Sequence, residues 1–565
     1  MSIGSRDDVD GRQKTTASAE APRGPLPPSG LEVAEAAWER IQLHLAIRAL
    51  NGGPVDADGE LHLRPVDATG TGTLPSRSPT RGALPAQRMA RFTVFCGPDQ
   101  MPLAEGRWEL VLRRPGQEPA WTSVAMGAGV PDAIERAFAW YQVTYRVHPA
   151  EKAPGAPFAL SIAVDGARPR SWTTPRGLLR ELRELRRRAW VGLFNLLVRA
   201  VGRIPNRAPF IVLTSDSRTE LGGNLKLVHD RMIERGIHRH YRIRTIFKSS
   251  IRTRRALLDR ARLVWLLARA EVILLDDYQP AIYRLPQRPE RQRIIQLWHA
   301  WGAFKTVGYS RIGKPGGPNP WSRVHKNYTY AVVSSEHEVP FYAEAFGLPD
   351  DRPMPTGTPR MDDFLDPDRQ ALRRERALEL LPAARGRRVV LFAPTFRGRS
   401  ARGADYPVEV VDVAALHAAC VEQDAVAILR LHPFVVARVP IPEPYRDRVI
   451  EATDLDIDTN DLLLVTDVLI TDYSSLIFEF SSLGRPMLFF AYDLEEYVAT
   501  RDTYEPYETF VPGRVVRTFD ELVDALRRRD FEQDKVEPFA RRHLPSEPGS
   551  ATDRIIDELI LGGRR

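Results

Sequence analysis

The pattern of apolar and polar positions changes twice along this chain of 565 residues. Over residues 31–168, apolar residues alternate with polar ones in short runs such as Leu61-His62-Leu63-Arg64, and breaks rich in Gly, Pro and Asp separate the runs. Such alternation is typical of strands that bury one face. The sequence therefore predicts an antiparallel β-sandwich over residues 31–168, as an accessory domain.

A helical pattern begins at Thr174-Pro175, where an N-cap residue precedes a proline at the first helical position. We predict an amphipathic helix and linker over residues 174–206, with arginines covering its polar side. Its apolar face consists of Leu178, Leu182, Leu185, Trp190, Phe194, Leu197 and Val201. Two interpretations stay open: the helix covers its own protein, or its aromatic and basic side chains bind an anionic membrane surface.

Continuous apolar runs alternate with helical segments from residue 207 onward, as at 272–275 and 389–392. Runs without alternation indicate parallel strands covered on both faces. A polar, basic stretch over residues 366–388 separates two blocks of such strands. The sequence therefore predicts an α/β fold with two Rossmann-like domains, 207–385 and 386–545, and a ligand cleft at the carboxyl ends of their strands.

The two ends of the chain have a different composition. Residues 1–30 are rich in Pro, Gly, Ser and charge and lack the apolar core of a signal peptide, so we predict a disordered tail. Residues 546–565 are expected to form a C-terminal helix or tail. No run reaches the roughly 20 apolar residues that a membrane span needs. The two cysteines, Cys96 and Cys420, exclude a disulfide framework and fit a reducing cytoplasm.

The formal net charge of +7 favours anionic partners. Charge alone does not choose between phosphates, nucleic acid and a membrane surface. Basic strands interleaved with aromatic residues, and known nucleic-acid recognition motifs, are missing from the sequence. We therefore expect no nucleic-acid partner.

Four loops that directly follow predicted strands hold the candidate chemistry. The loop at 296–305 presents His299 and Lys305, and a histidine can act as a base near neutral pH. The other three loops present Thr395 and Arg397, then His432, then Thr471, Asp472, Ser474 and Ser475. A hydroxyl-rich turn between a strand and a helix favours an anion site. The structural alternatives are a histidine without a catalytic role, prolines that only end strands, and serines that only cap a helix.

Five ordered segments carry a family resemblance. They read WHAWGAFKTVGYSR at 298–311, TGTPRMDDFL at 356–365, APTFR at 393–397, RLHP at 430–433, and a long segment at 459–497 that contains TDYSS. Together they resemble the CDP-glycerol:poly(glycerophosphate) glycerophosphotransferase family, the teichoic acid and capsule polymerases. The resemblance runs from about residue 209 to 540, and its opening motif resembles the segment that contains Asn224.

The resemblance implies a GT-B-like pair of domains, with 207–385 binding the acceptor and 386–545 binding the donor. The implied enzyme transfers a polyol phosphate from a CDP-polyol to a hydroxyl of a lipid-linked or growing polyol-phosphate acceptor and releases CMP. Glycerol phosphate is the first expectation and ribitol phosphate the alternative. Where the family often reads WHG-T-P-L-K, this chain reads WHAWGAFK, which leaves the polyol open.

The resemblance also implies residue roles, and elementary chemistry agrees with them. Attack by an alcohol on phosphorus needs a base, implied to be His299, and neutralisation of the charge on the departing CMP. His432, Arg397 and the helix terminus at Ser474 and Ser475 are expected to supply that neutralisation. The substrate-binding set is completed by Lys305, Thr395, Thr471, Asp472, Ser474, Ser475 and Asn224. Because protein cations can neutralise the charge, we expect no essential metal and no cofactor. The short Asp454-Leu455-Asp456 motif is too generic to establish a metal site.

Two other functions stay open at this point. A GT-B glycosyltransferase that uses a nucleotide sugar would share the two-domain fold. A membrane-peripheral protein that binds glycans without catalysis is the other alternative, although the presence of both histidines and of TDYSS favours an enzyme. The expected location is cytoplasmic, peripheral on the inner face of the cell membrane.

Overall fold

The computed structural model describes most of the chain in two compact units, 1–166 and 167–565. The described residues are 25–53, 55, 59–67, 73–76, 87–97, 100–114, 116–117, 120–166, 186, 189, 192–196, 198–204, 206, 208–250, 255–277, 279–286, 291–398, 403–545 and 549–562. Residues 1–24 of the predicted tail lie outside these ranges, and the first strand begins at Pro28, inside the range predicted for that tail.

Ten strands and one short helix make up the described part of the first unit. The strands are β1 (Pro28–Glu39), β2 (Gln42–Ala49), β3 (Glu60–Pro65), β4 (Leu74–Pro75), β5 (Arg88–Thr93), β6 (Gly106–Arg113), β7 (Trp121–Met126), β8 (Arg136–Trp140), β9 (Val143–Pro149) and β10 (Ala159–Asp165), and the helix is α1 (Val130–Ile134). The strands join in the order β5-β2-β1-β7-β6-β10-β9-β8, with β3 and β4 attached beside β6.

This sheet differs from the predicted sandwich of two antiparallel sheets. One edge of β6 pairs with β3, while the other edge pairs first with β10 and then, further along, with β7. The shared edge joins all the strands into one hydrogen-bonded network. In addition, β1 and β7 run parallel. The strand content agrees with the prediction, but the strictly antiparallel arrangement does not.

Twelve short strands form the sheets in the described part of the second unit. They are β11 (Phe210–Thr214), β12 (Arg242–Ile246), β13 (Val272–Leu275), β14 (Arg293–Gln296), β15 (Tyr330–Val332), β16 (Pro353–Met354), β17 (Arg388–Phe392), β18 (Ala425–Leu429), β19 (Val449–Glu451), β20 (Val468–Thr471), β21 (Met487–Phe490) and β22 (Arg514–Val516). One sheet has the order β12-β11-β13-β14-β15-β16 and the other β19-β18-β17-β20-β21-β22. Every pair in both sheets is parallel, as the continuous apolar runs predict.

Helices cover both sheets. Those with assigned bounds are α2 (Gly223–Glu234), α3 (Leu257–Arg269), α4 (Val339–Phe346), α5 (Pro359–Leu365), α6 (Pro367–Leu380), α7 (Val413–Glu422), α8 (Thr459–Val465), α9 (Leu476–Ser481), α10 (Leu494–Arg501), α11 (Tyr507–Phe510), α12 (Phe519–Arg528), α13 (Val536–His543) and α14 (Ala551–Arg554). The strand order reverses between β11 and β13 in one sheet and between β17 and β20 in the other. Ligands of such sheets bind beyond the carboxyl ends of the strands at these points.

The predicted helix over 174–206 lies partly outside the described residues, as do Leu178, Leu182, Leu185, Trp190 and Leu197. Residues 192–196 and 198–202 are helical. Val198 is buried, and Phe194 and Val201 pack with it against the core beside β11. In contrast, Leu193 and Leu196 are 55% and 61% exposed. This segment therefore covers its own protein with one face and leaves leucines in solvent on another. No helix among the described residues is long and apolar enough to cross a membrane.

The C-terminal segment returns to the first α/β sheet. After α14 the chain continues as a π-helical turn, Ile555–Ile560, whose buried residues share a core with Leu225 of α2. Asp553 accepts hydrogen bonds from Arg231 and Arg235 on the same helix α2. The end of the chain is therefore part of the packed core of the first α/β half.

Candidate active site

A cleft of about 770 Å³ lies between the two α/β halves of the second unit. Residues from both halves line it: His299, Ala300, Arg360, Arg376, Arg430, Pro433, Asp456, Ile457, Asp458, Thr459, Asn460, Asp461, Ser475, Leu476 and Glu479. The predicted base and one predicted phosphate-binding serine thus share one cavity. The lining carries charges of both signs, with three arginines and four carboxyl groups.

The loop after β14 presents His299 to this cleft. Trp298 has a left-handed backbone conformation, with φ of 53°, which is uncommon for a residue with a side chain. Its N–H donates to the side chain of Gln296, and its ring packs on that of His299 at 4.4 Å between centroids. A backbone in this conformation persists only where surrounding contacts stabilise it. Here Trp298 is buried, and the next residue, His299, is exposed at the cleft.

One ring nitrogen of His299 contacts the backbone. Its Nδ1 lies 3.3 Å from the carbonyl oxygen of Asp276, which follows β13. Because a carbonyl oxygen can only accept, this contact requires the proton on Nδ1. The Nε2 atom of neutral His299 then has a free lone pair, which is the form that a general base needs.

Asn224 does not present its amide to the cleft. It is 2% exposed, its Nδ2 donates to the carbonyl oxygen of Trp298 at 2.7 Å, and its Oδ1 accepts from the N–H of Arg360 at 3.0 Å. Both ends of the amide are therefore used by backbone groups. The amide thus links the His299 loop to the start of α5, and the predicted contact of Asn224 with substrate stays a prediction.

His432 is held in the opposite way. Its Nδ1 accepts a hydrogen bond of 3.2 Å from the N–H of Phe434, so the proton of the neutral ring is on Nε2. Burial and the nearby charge of Lys305 lower the pKa of His432. Its ring packs beside those of Phe396 and Phe434, at 4.7 and 4.6 Å between centroids. The lowered pKa favours the neutral ring, which presents its Nε2–H as a hydrogen-bond donor.

The guanidinium of Arg397 forms its hydrogen bonds with other groups of the protein. Its guanidinium donates to Asp472 at 2.9 Å and, through two nitrogens, to Asp493 at 2.6 and 2.9 Å. Four tyrosine rings surround it at 5.2–5.5 Å: Tyr406, Tyr473, Tyr492 and Tyr497. Its charge therefore holds the loops of the second α/β half together. The predicted contact of Arg397 with phosphate stays a prediction.

Asp472 and Thr471 join the loops after β17 and β20. Asp472 is 1% exposed and accepts from the N–H groups of Thr395 at 2.7 Å and Tyr473 at 2.6 Å. The hydroxyl of Thr471 donates to the carbonyl oxygen of Ala393 at 2.7 Å. Both predicted substrate contacts are thus internal. The hydroxyl of Thr395 is buried and has no partner among the described residues.

Lys305 reaches from the first α/β half to the second. Its backbone forms an isolated bridge with Thr503, and its ammonium group lies 5.6 Å from the ring centroid of Tyr497. Burial lowers its pKa to about 8, although the nearby Asp472 acts in the opposite direction. The ammonium group is therefore mostly charged at pH 7.

The two serines of TDYSS have different surroundings. The Ser474 hydroxyl accepts from the N–H of Leu476 at 3.3 Å, which makes it part of the turn. Ser475 is exposed, lines the cleft and makes no capping hydrogen bond, so its hydroxyl is open to a ligand. Because α9 has only six residues, its dipole is a small contribution.

Sequence reasoning missed Arg360 and Glu479, which face each other across the cleft. Glu479 is 5% exposed, its Oε2 has no partner among the described residues, and burial raises its pKa to about 7 against the opposing effect of Arg360. An acidic residue within the apolar run Leu476-Ile477-Phe478-Glu479-Phe480 was the available signal for this site.

Arg430, the first residue of the RLHP motif, bonds to backbone groups of its own half. Arg430 is 9% exposed. Its guanidinium donates to the carbonyl oxygens of Ala452, Thr453, Leu455 and Ile457. It thereby fixes the loop that places Asp456 and Asp458 at the cleft.

The His299 loop and α9 approach each other closely at Gly302. This glycine has φ of 68°, and a Cβ there would lie 2.1 Å from the ring of Phe478 on α9. The hydroxyl of Tyr342 donates to the carbonyl oxygen of Gly302 at 2.8 Å. Only glycine fits between the two halves at this position.

Comparison with known proteins agrees with this arrangement. The family model for CDP-Glycerol:Poly(glycerophosphate) glycerophosphotransferase matches residues 196–561, which include both α/β sheets and the cleft. The chain belongs to this family. The sequence resemblance is thereby confirmed, and the family match leaves the first unit outside it.

Two curated relatives within the family are ribitol-phosphate polymerases. The chain is 45% identical over 354 residues to the teichoic acid ribitol-phosphate polymerase TarK of Staphylococcus aureus, covering 63% of this chain and 69% of TarK. It is 37% identical over 369 residues to the teichoic acid poly(ribitol-phosphate) polymerase of Bacillus spizizenii, covering 65% of this chain and 59% of that protein. Four relatives named for glycerol phosphate are 24–30% identical.

A solved structure shares the fold of the second unit. It is a variant of the wall teichoic acid polymerase TagF, with a TM-score of 0.51 and 20% identity, covering 68% of this chain and 97% of that one. At this level of identity the likeness establishes the α/β fold.

Proposed function

We propose that this protein is a CDP-polyol phosphotransferase of teichoic acid synthesis that adds ribitol phosphate to a growing polymer and releases CMP. The observation that carries the proposal is the placement of His299 at a cleft between two parallel sheets, in a chain of this family. The activity belongs to the second unit, which the family match covers.

The reaction assigns opposite tasks to the two histidines. The Nε2 atom of His299 takes the proton from the acceptor hydroxyl as its oxygen attacks the phosphorus that carries the polyol. The bond between that phosphorus and the oxygen bridging to CMP breaks. His432 donates its Nε2–H to the phosphate oxygens of the departing CMP, and Lys305 supplies positive charge there. Thr395 and Ser475 offer hydroxyl groups to the diphosphate.

Ribitol is proposed in place of the glycerol that the sequence first favoured. Relatives named for ribitol phosphate include TarK at 45% identity, against 24–30% for the relatives named for glycerol phosphate. The departure from WHG-T-P-L-K in the loop at 298–305 fits a different polyol.

A donor panel tests the proposal. The protein is incubated with CDP-ribitol or CDP-glycerol and a lipid-linked polyol-phosphate acceptor. CMP release is measured, and the mass of the product is determined by mass spectrometry. We expect CDP-ribitol to be used with at least a tenfold higher kcat/KM and to add ribitol-phosphate units. Preference for CDP-glycerol would overturn the choice of polyol, and use of nucleotide sugars alone would overturn the reaction class.

We also propose that the second unit binds an anionic membrane surface, where the lipid-linked acceptor is located. Two helices that pack on the same core leave apolar side chains in solvent. On the helical segment these are Leu193 and Leu196, and on α3 they are Leu258, 85% exposed, and Trp265, 44% exposed. Arg269 lies 4.6 Å from the ring centroid of Trp265. Exposed Trp and Leu flanked by arginine suit the boundary between headgroups and acyl chains.

A further inference from the structure

Three potential metal ligands from separate parts of the second unit meet away from the residues that line the cleft. They are His337, in the short helical turn Glu336–Glu338 after β15, Glu505, between α10 and α11, and His543, the last residue of α13. One ligand atom of each lies within 4.8 Å of those of the other two. The chain thus brings two imidazoles and a carboxylate to one point from positions far apart in sequence.

Two of the three potential ligands already contact each other. His337 Nε2 lies 2.9 Å from one oxygen of Glu505, and Arg542 donates to the other oxygen at 2.7 Å. The rings of His337 and His543 stand edge to face with centroids 5.1 Å apart. Around a zinc ion with ligands at about 2.0–2.1 Å, neighbouring ligand atoms are roughly 3.3 Å apart. To reach that spacing from within 4.8 Å, the ligand atoms must approach one another by up to about 1.5 Å.

His543 supplies an independent indication of a ligand. Its side chain is fully buried, and neither ring nitrogen has a hydrogen-bond partner in the described part of the chain. Its Nδ1 lies 3.5 Å from Oε1 of Glu338, which is also fully buried and lacks a partner at that oxygen. Buried polar atoms without partners are costly and rare in native proteins. A bound cation would satisfy both.

We propose that His337, Glu505 and His543 bind one divalent zinc ion, with Glu338 or a water molecule as the fourth ligand. Two imidazoles with carboxylate oxygens form a borderline-soft donor set that suits Zn²⁺ better than Mg²⁺ or Ca²⁺. The ion replaces the hydrogen bond between His337 and Glu505: Nε2 of the neutral His337 ring binds the metal through its lone pair, and the ring proton is on Nδ1.

The role of this site is structural. Glu338 accepts a hydrogen bond from the N–H of Ser334 at 3.1 Å, and the hydroxyl of Ser334 accepts from the N–H of Gly302 in the His299 loop. Glu505 lies between β21 and β22 of the second sheet, and His543 lies on α13, which follows that sheet. The ion therefore ties the two α/β halves together beside the loop that carries the proposed base. This inference does not depend on the identity of the polyol.

Metal titration tests the site. The 565-residue protein is freed of metal with a chelator, dialysed, and titrated with Zn²⁺ by calorimetry and with Co²⁺ by visible absorption. We expect one ion per chain, a tetrahedral Co²⁺ spectrum, and an unfolding temperature that rises with Zn²⁺. H337Q and E505Q remove partly exposed ligands and are expected to weaken binding at least about 100-fold.

A matched control removes another histidine–carboxylate pair. His417 Nε2 lies 2.9 Å from Asp447, so H417Q changes a comparable pair elsewhere in the second unit and should leave Zn²⁺ binding unchanged. Absence of stoichiometric binding by the unchanged protein, or equal binding by H337Q, E505Q and H417Q, would overturn the proposal. The contact between His337 and Glu505 would then be an ion pair only.

Discussion

His299 and His432 are each held through Nδ1, but by backbone groups of opposite kind. Nδ1 of His299 faces a carbonyl oxygen, and Nδ1 of His432 faces an N–H. The first histidine therefore has its lone pair on Nε2, and the second has its proton there. The proposed reaction needs this difference, because one histidine must take a proton from the acceptor hydroxyl and the other must donate a hydrogen bond to the departing CMP.

The first prediction concerns the base. H299A removes the only group assigned to take the proton of the acceptor hydroxyl, so we expect kcat for CMP release to fall about 100-fold or more. Donor affinity should change little, because His299 acts on the acceptor. Turnover within a few-fold of the unchanged protein, in a variant with an unaltered unfolding temperature, would contradict the role.

The second prediction separates hydrogen-bond donation from charge at His432. H432Q keeps an N–H donor of similar reach, whereas H432A removes it. If a neutral donor is what the leaving CMP needs, H432Q should retain a clearly larger part of kcat than H432A, whose loss is expected at about 100-fold. Equal losses in both variants would show that the imidazole ring itself is required.

The third prediction is a pH dependence from Lys305. Burial lowers its pKa to about 8, so the ammonium charge is present below that pH and is lost as the pH rises through it. The KM for the CDP-polyol should therefore increase between pH 7 and pH 9. K305R keeps its charge over this range and should flatten the dependence. An unchanged profile in K305R would assign the alkaline loss to another group.

The strands and loops of the second unit were predictable because they depend on neighbouring residues. A run such as that of β17 is apolar at every position when both faces are buried, and the loop that follows it must lie at the edge where ligands bind. The roles of Asn224 and Arg397 were not predictable in this way. Their partners Trp298 and Asp493 lie 74 and 96 positions away, and only the folded chain shows that they use up the polar groups.

The same limit applies to packing between distant segments. In the sequence, Ile555, Ile556 and Ile560 are typical of any apolar helix. Their neighbours in the chain do not indicate that they pack in the core beside α2. In the first unit, the pairing between strands was equally hard to predict. Alternation identifies which residues form strands, but the shared edge of β6, which joins the sheet, depends on pairings between residues far apart.

The fourth prediction tests membrane binding. Replacing Leu193, Leu196 and Trp265 by serine removes exposed apolar groups without touching Val198, which is buried. We expect the triple variant to lose sedimentation with vesicles of phosphatidylglycerol, and the unchanged protein to lose it at high salt. L372S, which changes another exposed leucine on α6, serves as the control and should still bind. Failure of the unchanged protein to sediment at low salt would overturn the proposal.

The last prediction concerns the close approach of the two halves at Gly302. G302A adds a methyl group 2.1 Å from the ring of Phe478 and also strains a backbone with φ of 68°. Gly484 offers a matched control, because its φ is 65° but nothing lies within 4 Å of its added Cβ. Both alanine variants suffer the left-handed strain of about 1–2 kcal/mol. Only G302A adds overpacking of roughly 1–3 kcal/mol and displaces the His299 loop.

We therefore expect G302A to unfold at a lower temperature than G484A and to lose activity that G484A retains. Equal unfolding temperatures and equal kcat in the two variants would mean that the loop and α9 move apart without cost, and that their contact does not position His299.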